Sequence, residues 1–221
     1  MNKSAAIISV IIALSFAISA MAYGILPDRI ASHWNAAGEA DGYMPKFWGL
    51  LPIPLMLMVF GLLFAAIPRI DPLRANIEKF IGYYEGFIMI FFIFMLAVQV
   101  HIILWNSGTR ISPNLTFPLG MGALFYYIGI LCSKAKRNWF IGIRTPWTMS
   151  SDRVWDRTHQ LAGKLYRIAG MIALLGAFSG VYAFLFILVP VIAVSIFTVV
   201  YSYAEYQAET KKRHPRGLKH R

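Results

Sequence analysis

With 221 residues, 58% of them hydrophobic, only 14% charged and a mean hydropathy of +0.59, the chain is too apolar for an ordinary soluble domain and reads as an integral membrane protein. Its formal net charge is +11, yet Lys and Arg gather at the ends of apolar runs rather than in a basic domain, so membrane lipids with anionic headgroups, not nucleic acid, are the expected counter-surface. A single cysteine, Cys132, excludes an intrachain disulfide and a cysteine-rich metal site.

Ser4 to Gly24 predicts a first span. It is longer than the apolar core of a secretory signal and five further apolar segments follow, so it reads as uncleaved. Residues 25–46 form a polar connection whose Gly and Pro mark turns, and they predict an ordered loop. Phe47 to Ile67 predicts the second span, with Pro52 and Pro54 near its start, where missing helical donors are best tolerated. After a polar bridge from Arg74 to Lys79, the third span runs from Ile81 to Leu104. It carries Glu85 near one end and Gln99 and His101 near the other, where bundle-facing contacts ease desolvation. Leu115 to Cys132 predicts the fourth span, with Gly120 and Gly122 as weak signals of close packing.

The apolar run from Ile168 to Tyr203 is about twice one span in length. Gly180 and Pro190 are its candidate break points, and the preferred division is Tyr166–Val181 and Phe184–Tyr203; one long kinked helix is the alternative. The expected fold is thus an all-α integral membrane protein, a six-span helical bundle over residues 1–204 with a basic, aperiodic cytoplasmic tail at 205–221. Six spans put both termini on one side. Lys3, then Arg69, Arg74 and Lys79, eight basic residues from Lys134 to Arg167 and six from Lys211 to Arg221 make eighteen of the 21 Lys and Arg on that side, against Arg29, Lys46 and Arg110 opposite. The positive-inside rule predicts a cell-membrane protein with both termini cytoplasmic.

The loop at 133–167 holds three of the six tryptophans, Trp139, Trp147 and Trp155, and much of the charge. Ser150 and Ser151 before Asp152 predict a helix starting near Asp152. Its stripe Val154, Thr158, Leu161 and Leu165 runs beside a second one of Trp155, His159, Ala162 and Tyr166. That pattern fits either a helix lying in the membrane interface or the first extramembrane turns of the next span. Pro146 restricts Thr145 to an extended conformation, which predicts a fixed loop. Arg144 beside it can fork onto a carboxylate, a phosphate or helix-terminal carbonyls, and is the expected polar clamp, or else an anchor at the headgroups. Gly142, Gly163 and Gly170 are candidates for close backbone packing.

Catalytic and metal chemistry find little support. Neither His33, Glu39 and Asp41 nor His159 with Asp152 and Asp156 has the spacing of a zinc or calcium site. Ser151 and His159 lack a nucleophile elbow and a third orienting group. No nucleotide-binding motif is present, and no cofactor is expected.

The run Asn138-Trp139-Phe140-Ile141-Gly142-Ile143-Arg144-Thr145-Pro146-Trp147-Thr148, followed by Ser151, Trp155, His159 and Gly163, resembles the signature of the SdpI family. This is a family of bacterial and archaeal multi-pass membrane proteins whose best-known members give immunity to a secreted killing peptide. Pro27, His33, Trp34, Gly38, Asp41, Gly42 and Lys46 look like the N-terminal region of many longer members. The resemblance, from about residue 5 to residue 200, implies a non-enzymatic membrane immunity protein. Its implied partners are an antimicrobial peptide or toxin outside and a transcriptional repressor protein recruited inside. A membrane-bound hydrolase and a small-solute transporter are the alternative readings.

Overall fold

The structure, a computed structural model, describes residues 3–213. Six helical segments among them are long and apolar enough to cross a membrane: Ser4–Ile25, Lys46–Ile70, Ile81–Asn106, Pro113–Lys134, Asp152–Phe178 and Gly180–Lys212. The chain is an all-α, multi-pass membrane protein, with one small two-stranded sheet added.

Helix α1 (Lys3–Ile25) leads into the strands β1 (Arg29–Trp34) and β2 (Ala40–Pro45). Short α2 (Lys46–Leu50) continues almost directly into α3 (Pro52–Ile70), where Pro52 occupies the helix start and sacrifices no intrahelical bond. After α4 (Arg74–Glu78) come α5 (Ile81–Asn106) and α6 (Pro113–Lys134). Ser112 caps α6 by accepting the Asn114 amide, with Pro113 in its first turn. Short α7 (Pro146–Ser150) precedes α8 (Asp152–Leu175), and two 3-10 turns lead to α9 (Ala183–Arg213).

Three expectations are refined here. The loop helix from Asp152 is continuous with the fifth span, so it supplies that span's first turns. Gly180, at φ +58°, lies at the break between the last two spans, whereas Pro190 sits inside α9; the single long kinked helix is not formed. The helix also runs past Tyr203 to Arg213, so residues 205–213 are an extension of α9 rather than an aperiodic tail, and the remainder of that tail lies outside the described residues. Thr198, Ser202 and Glu209 are buried on α9, at a spacing that keeps them on one helical face.

Contacts sort the loops onto two faces. Ser4 Oγ donates to Glu85 Oε2 at 2.8 Å, and the Trp139 amide donates to Asp71 Oδ2 at 2.9 Å. Ser151 Oγ donates to Glu209 Oε2 at 2.6 Å. Both ends of the described chain therefore share one face with the loops at 71–80 and 135–151. The hairpin, with the turn between α5 and α6, occupies the other.

A buried cluster of Ile11, Leu57, Ile77, Phe80, Tyr84, Ile88 and Phe92 joins α1, α3, α4 and α5, and reaches Ile141 and Trp155 of the loop face. Within it Gln99 is buried but satisfied. Its Nε2 donates to the Ser15 carbonyl at 2.8 Å and Ser19 Oγ at 2.7 Å, and Ser15 Oγ donates to its Oε1. This amide ties α5 to α1 where water is excluded.

The closest helix pair is α6 with α8. A Cβ on Gly129 would lie 2.7 Å from the Gly163 carbonyl oxygen, and one on Gly170 would lie 2.7 Å from that of Gly122. Each pair is seven residues from the next, so one stripe of small residues on each helix lets the two backbones touch. Gly163 and Gly170 were legible as packing glycines; Gly129 was not. Gly120 faces the Phe94 ring on α5 instead.

Candidate functional site

The loop between α6 and α7 buries Ala135 and Ile141 but leaves Trp139 and Phe140 exposed, and polar side chains hold its turn. Asn138 is fully buried. Its Oδ1 accepts the amides of Phe140 at 2.9 Å and Ile141 at 2.6 Å, while Nδ2 donates to the carbonyls of Lys136 at 2.8 Å and Ile141 at 2.9 Å. One carboxamide thus replaces the hydrogen bonds that a regular element would have supplied. The other loop of this face grips the same turn. Besides the Asp71 contact to Trp139, Asp71 Oδ1 accepts the Leu73 amide at 2.6 Å, and Asn76 Nδ2 donates to the Arg137 carbonyl at 2.9 Å.

Beyond the turn the chain passes over an aromatic pair. Trp155 and His159, one helical turn apart, stack with centroids 3.9 Å apart and planes 14° from parallel, and both are buried. Trp155 Nε1 donates to the Ala135 carbonyl at 2.9 Å. His159 Nε2 lies 2.9 Å from the Ile143 amide, which donates to it, so Nδ1 carries the ring proton and donates to the Trp155 carbonyl at 2.9 Å. The imidazole is neutral and committed at both nitrogens. Gly142, at φ +115°, is the residue that lets the backbone come this near: a Cβ there would run into His159 Nε2.

Thr145 then caps α7. Its Oγ1 accepts the Thr148 amide at 3.2 Å, and Thr148 Oγ1 accepts the Thr145 amide at 2.9 Å, a reciprocal capping box followed by Pro146. Ser151 caps α8, accepting the Val154 amide at 3.3 Å. Both caps reach α9: Thr145 Oγ1 lies 3.1 Å from Ser202 Oγ, and Ser151 donates to Glu209. Trp147 packs on Tyr203 at 5.0 Å between centroids. Ion pairs rim the assembly, joining Arg137 to Asp152 at 2.8 Å, Lys136 to Asp156 at 3.1 Å and Arg157 to Glu205 at 2.9 Å.

On the opposite face, β1 and β2 pair antiparallel from Arg29↔Pro45 to Trp34↔Ala40, with irregular register around His33. Gly38, at φ +81°, sits in the tip, and a Cβ on Gly42 would lie 2.8 Å from that of His33. His33 Nδ1 and Asp41 Oδ1 pair at 2.5 Å across the exposed side. Lys46 bridges to Asp28 at 3.4 Å, donates to the Leu26 carbonyl at 3.3 Å and lies over the Tyr23 ring. Pro27 is exposed at the entry. Asn106 of α5 clamps the hairpin: its Oδ1 accepts the Ala31 amide at 2.7 Å and its Nδ2 donates to the Ala31 carbonyl at 3.1 Å. Trp34 lies edge-on to both His101 and Trp105.

The structure brings Asn138, Thr145, Trp155 and His159 into one buried assembly, with Gly142 exposed directly over the His159 ring and Gly163 at the adjoining helix seam. Arg144 stands on its exposed rim, where it donates to the Trp139 carbonyl at 2.5 Å, and Pro146 is exposed in the first turn of α7. Ser151 and His159 take different partners. Among the described residues, no group of three or more His, Cys, Asp and Glu is placed to hold a metal ion. Sequence reasoning missed Asp71, Asn76 and Arg137, and the α9 residues Ser202 and Glu209; Tyr203 was read as a membrane-edge aromatic, not as the partner of Trp147. Only α9 carried a legible signal, Glu205 and Glu209 at helical spacing beyond the apolar run.

A six-span helical membrane protein with an ordered loop packed against its last helix is the class that this geometry defines. Residues 134–202 match the SdpI/YfhL protein family, and residues 10–58 match a domain of unknown function, DUF1648. The chain is also 26% identical over 199 residues to the Immunity protein SdpI of Bacillus subtilis (strain 168), covering 90% of this chain and 93% of that relative. The resemblance to the SdpI family read from the signature therefore holds. The first match spans the loop from Lys134 through α7, α8 and most of α9, leaving out Asp71, Asn76, Tyr203 and Glu209, and the second spans the later part of α1, the hairpin and the start of α3. No solved structure matches the chain.

Proposed function

We propose that this is a membrane immunity protein that protects the cell carrying it from a secreted antimicrobial peptide. The observation that carries the reading is the near full-length similarity to an immunity protein. In this reading the hairpin face is external and meets the peptide, at the hairpin or laterally along the bundle. The loop face, which bears fifteen of the eighteen Lys and Arg among the described residues, is cytoplasmic with both ends of the described chain. Exposed Trp139 and Arg144, on a loop held by buried hydrogen bonds, offer a preformed surface there for a repressor protein.

The test is expression in a peptide-sensitive cell, where survival under challenge should rise without added cofactor. Unchanged killing across secreted peptides would overturn the immunity reading, and solute flux through reconstituted vesicles would replace it with transport. Cys132 is the one cysteine and is buried, so single cysteines at positions 35, 76, 107 and 150 can be labelled against a quiet background. Labelling from outside at 35 and 107 but not at 76 and 150 is expected. Outside labelling at 150 would reverse the orientation.

A further inference from the structure

Between α5 and α6 lies a cavity of about 440 Å³, a size typical of small-molecule sites. It extends from Ile90 and Ala123, midway along the two helices, to Leu104 and Ile111 at the hairpin end. Fifteen residues of α5, at 1.5 Å per residue, cover about 20 Å, which is one leaflet rather than the whole bilayer. Ile93 and Leu119 line the cavity and are also 54% and 45% exposed on the bundle surface, so its mouth is lateral and faces hydrocarbon.

The wall is apolar except at the hairpin end, where His101 and Thr116 stand. His101 is 6% exposed, and its Nδ1 lies 3.2 Å from Thr116 Oγ1. Its Nε2 is buried and has no hydrogen-bond partner among the described residues. The same holds for Nε1 of Trp34, whose ring centroid is 5.7 Å from that of His101. A buried polar atom left unpaired is costly, and Nε2 of His101, a residue of the wall at the polar end of an apolar cavity, marks a place for a polar group brought from elsewhere; Trp34 packs on that ring from outside the lining. Nε2 donates or accepts according to which tautomer meets Thr116, and the Thr116 hydroxyl on the same wall does both. A hydroxyl serves all of these requirements, because it both donates and accepts.

We propose that this cavity binds a single-chain, hydroxyl-bearing amphiphile drawn from the leaflet on the hairpin side. Its hydrocarbon chain lies between α5 and α6, and its hydroxyl lies at His101 and Thr116. The depth of one leaflet, the lateral mouth and the single polar end fit one chain of a lipid-like molecule better than a peptide helix, whose diameter of about 10 Å demands a wider groove. The site does not depend on the immunity reading and is tested without any toxin.

The full-length protein in phosphatidylcholine nanodiscs is photolysed with a long-chain fatty alcohol carrying a diazirine in its chain, and the labelled peptides are mapped by mass spectrometry. Labels should concentrate in residues 90–104 and 111–123 and exceed those on the exposed α9 face. Ala97→Phe and Ala123→Phe place bulk at two exposed lining positions on different helices, and each should remove that excess while leaving α9 labelling and the elution profile intact. His101→Phe keeps the apolar wall but loses the polar anchor, so about fivefold more alcohol should be needed. An alkane diazirine should not distinguish that variant from the native chain. Labelling no stronger than on α9, or unchanged in both filled variants, would overturn the proposal. So would competition by an apolar peptide but not by unlabelled alcohol, which would assign the cavity to a peptide segment.

Discussion

Gly142 and His159 occupy mutually exclusive space: the imidazole nitrogen that accepts the Ile143 amide lies where a side chain on residue 142 would begin. Gly142→Ala therefore faces two penalties at once, a clash with a buried ring and a left-handed φ of +115°. Thermal unfolding in micelles should show a loss of about 1–3 kcal/mol, with faster proteolysis of the 136–151 loop. Gly24→Ala, where nothing beyond the helix's own backbone lies within 4 Å of the added Cβ, is the control and should cost no stability and leave proteolysis of the loop unchanged.

The hydrogen-bond roles of His159 predict an acid-sensitive loop. Protonated imidazole donates at both nitrogens, so it cannot accept from Ile143, and the neutral ring is the form the fold requires. Acid should loosen the loop, and a return to neutral pH should restore it. Amide exchange at Ile143 is the readout, rising on acidification in the native protein. His159→Phe keeps a ring against Trp155 but leaves that amide unpaired, at a cost of about 1–3 kcal/mol, and exchange there should be fast at every pH.

The extension of α9 should matter to the loop through Ser151. Glu209 is 9% exposed and accepts the Ser151 hydroxyl, a charge-assisted bond. Glu209→Ala should cost about 1.5–3 kcal/mol, and Glu209→Gln, which keeps an acceptor oxygen, should cost less. Equal effects of the two would assign the role to side-chain bulk.

If the loop carries the proposed activity, Arg144→Lys separates recognition from folding. The guanidinium sits on the exposed rim, and lysine keeps its charge while losing its planar fork. Protection or partner recruitment should fall at unchanged membrane abundance, while Lys212→Ala on exposed α9 should do little. A parallel fall in protein level would instead show that Arg144 holds the loop together.

The spans were legible because an apolar helix in a bilayer needs no partner to announce itself, and Ser151-Asp152 marked a helix start by local chemistry; the Ser112-Pro113 start was passed over, and the fourth span was begun two residues late at Leu115. Pro146 and the spacing of Trp155 and His159 likewise exposed an ordered loop. The hairpin was read only as an ordered loop, since its strands lack clean alternation and the irregular register around His33 breaks their period. Asp71 and Asn76 gave no sign, because their partners at Trp139 and Arg137 lie more than sixty positions away and neither residue is unusual at the end of a helix. Reading residues 205–213 as tail came from stopping α9 where its hydrophobicity stops. The buried face of Thr198, Ser202 and Glu209 continues across that point.

That continuity has a mechanical consequence. At 31 residues α9 is about 46 Å long, some 16 Å more than the hydrocarbon layer is thick. A rod that overshoots the bilayer answers thinning by tilting or by sinking. Because its protruding end is fastened to Thr145, Trp147 and Ser151, either motion pulls on the caps of α7 and α8. The loop is thereby coupled to the thickness of the membrane around it, as a float arm is coupled to the level of its tank.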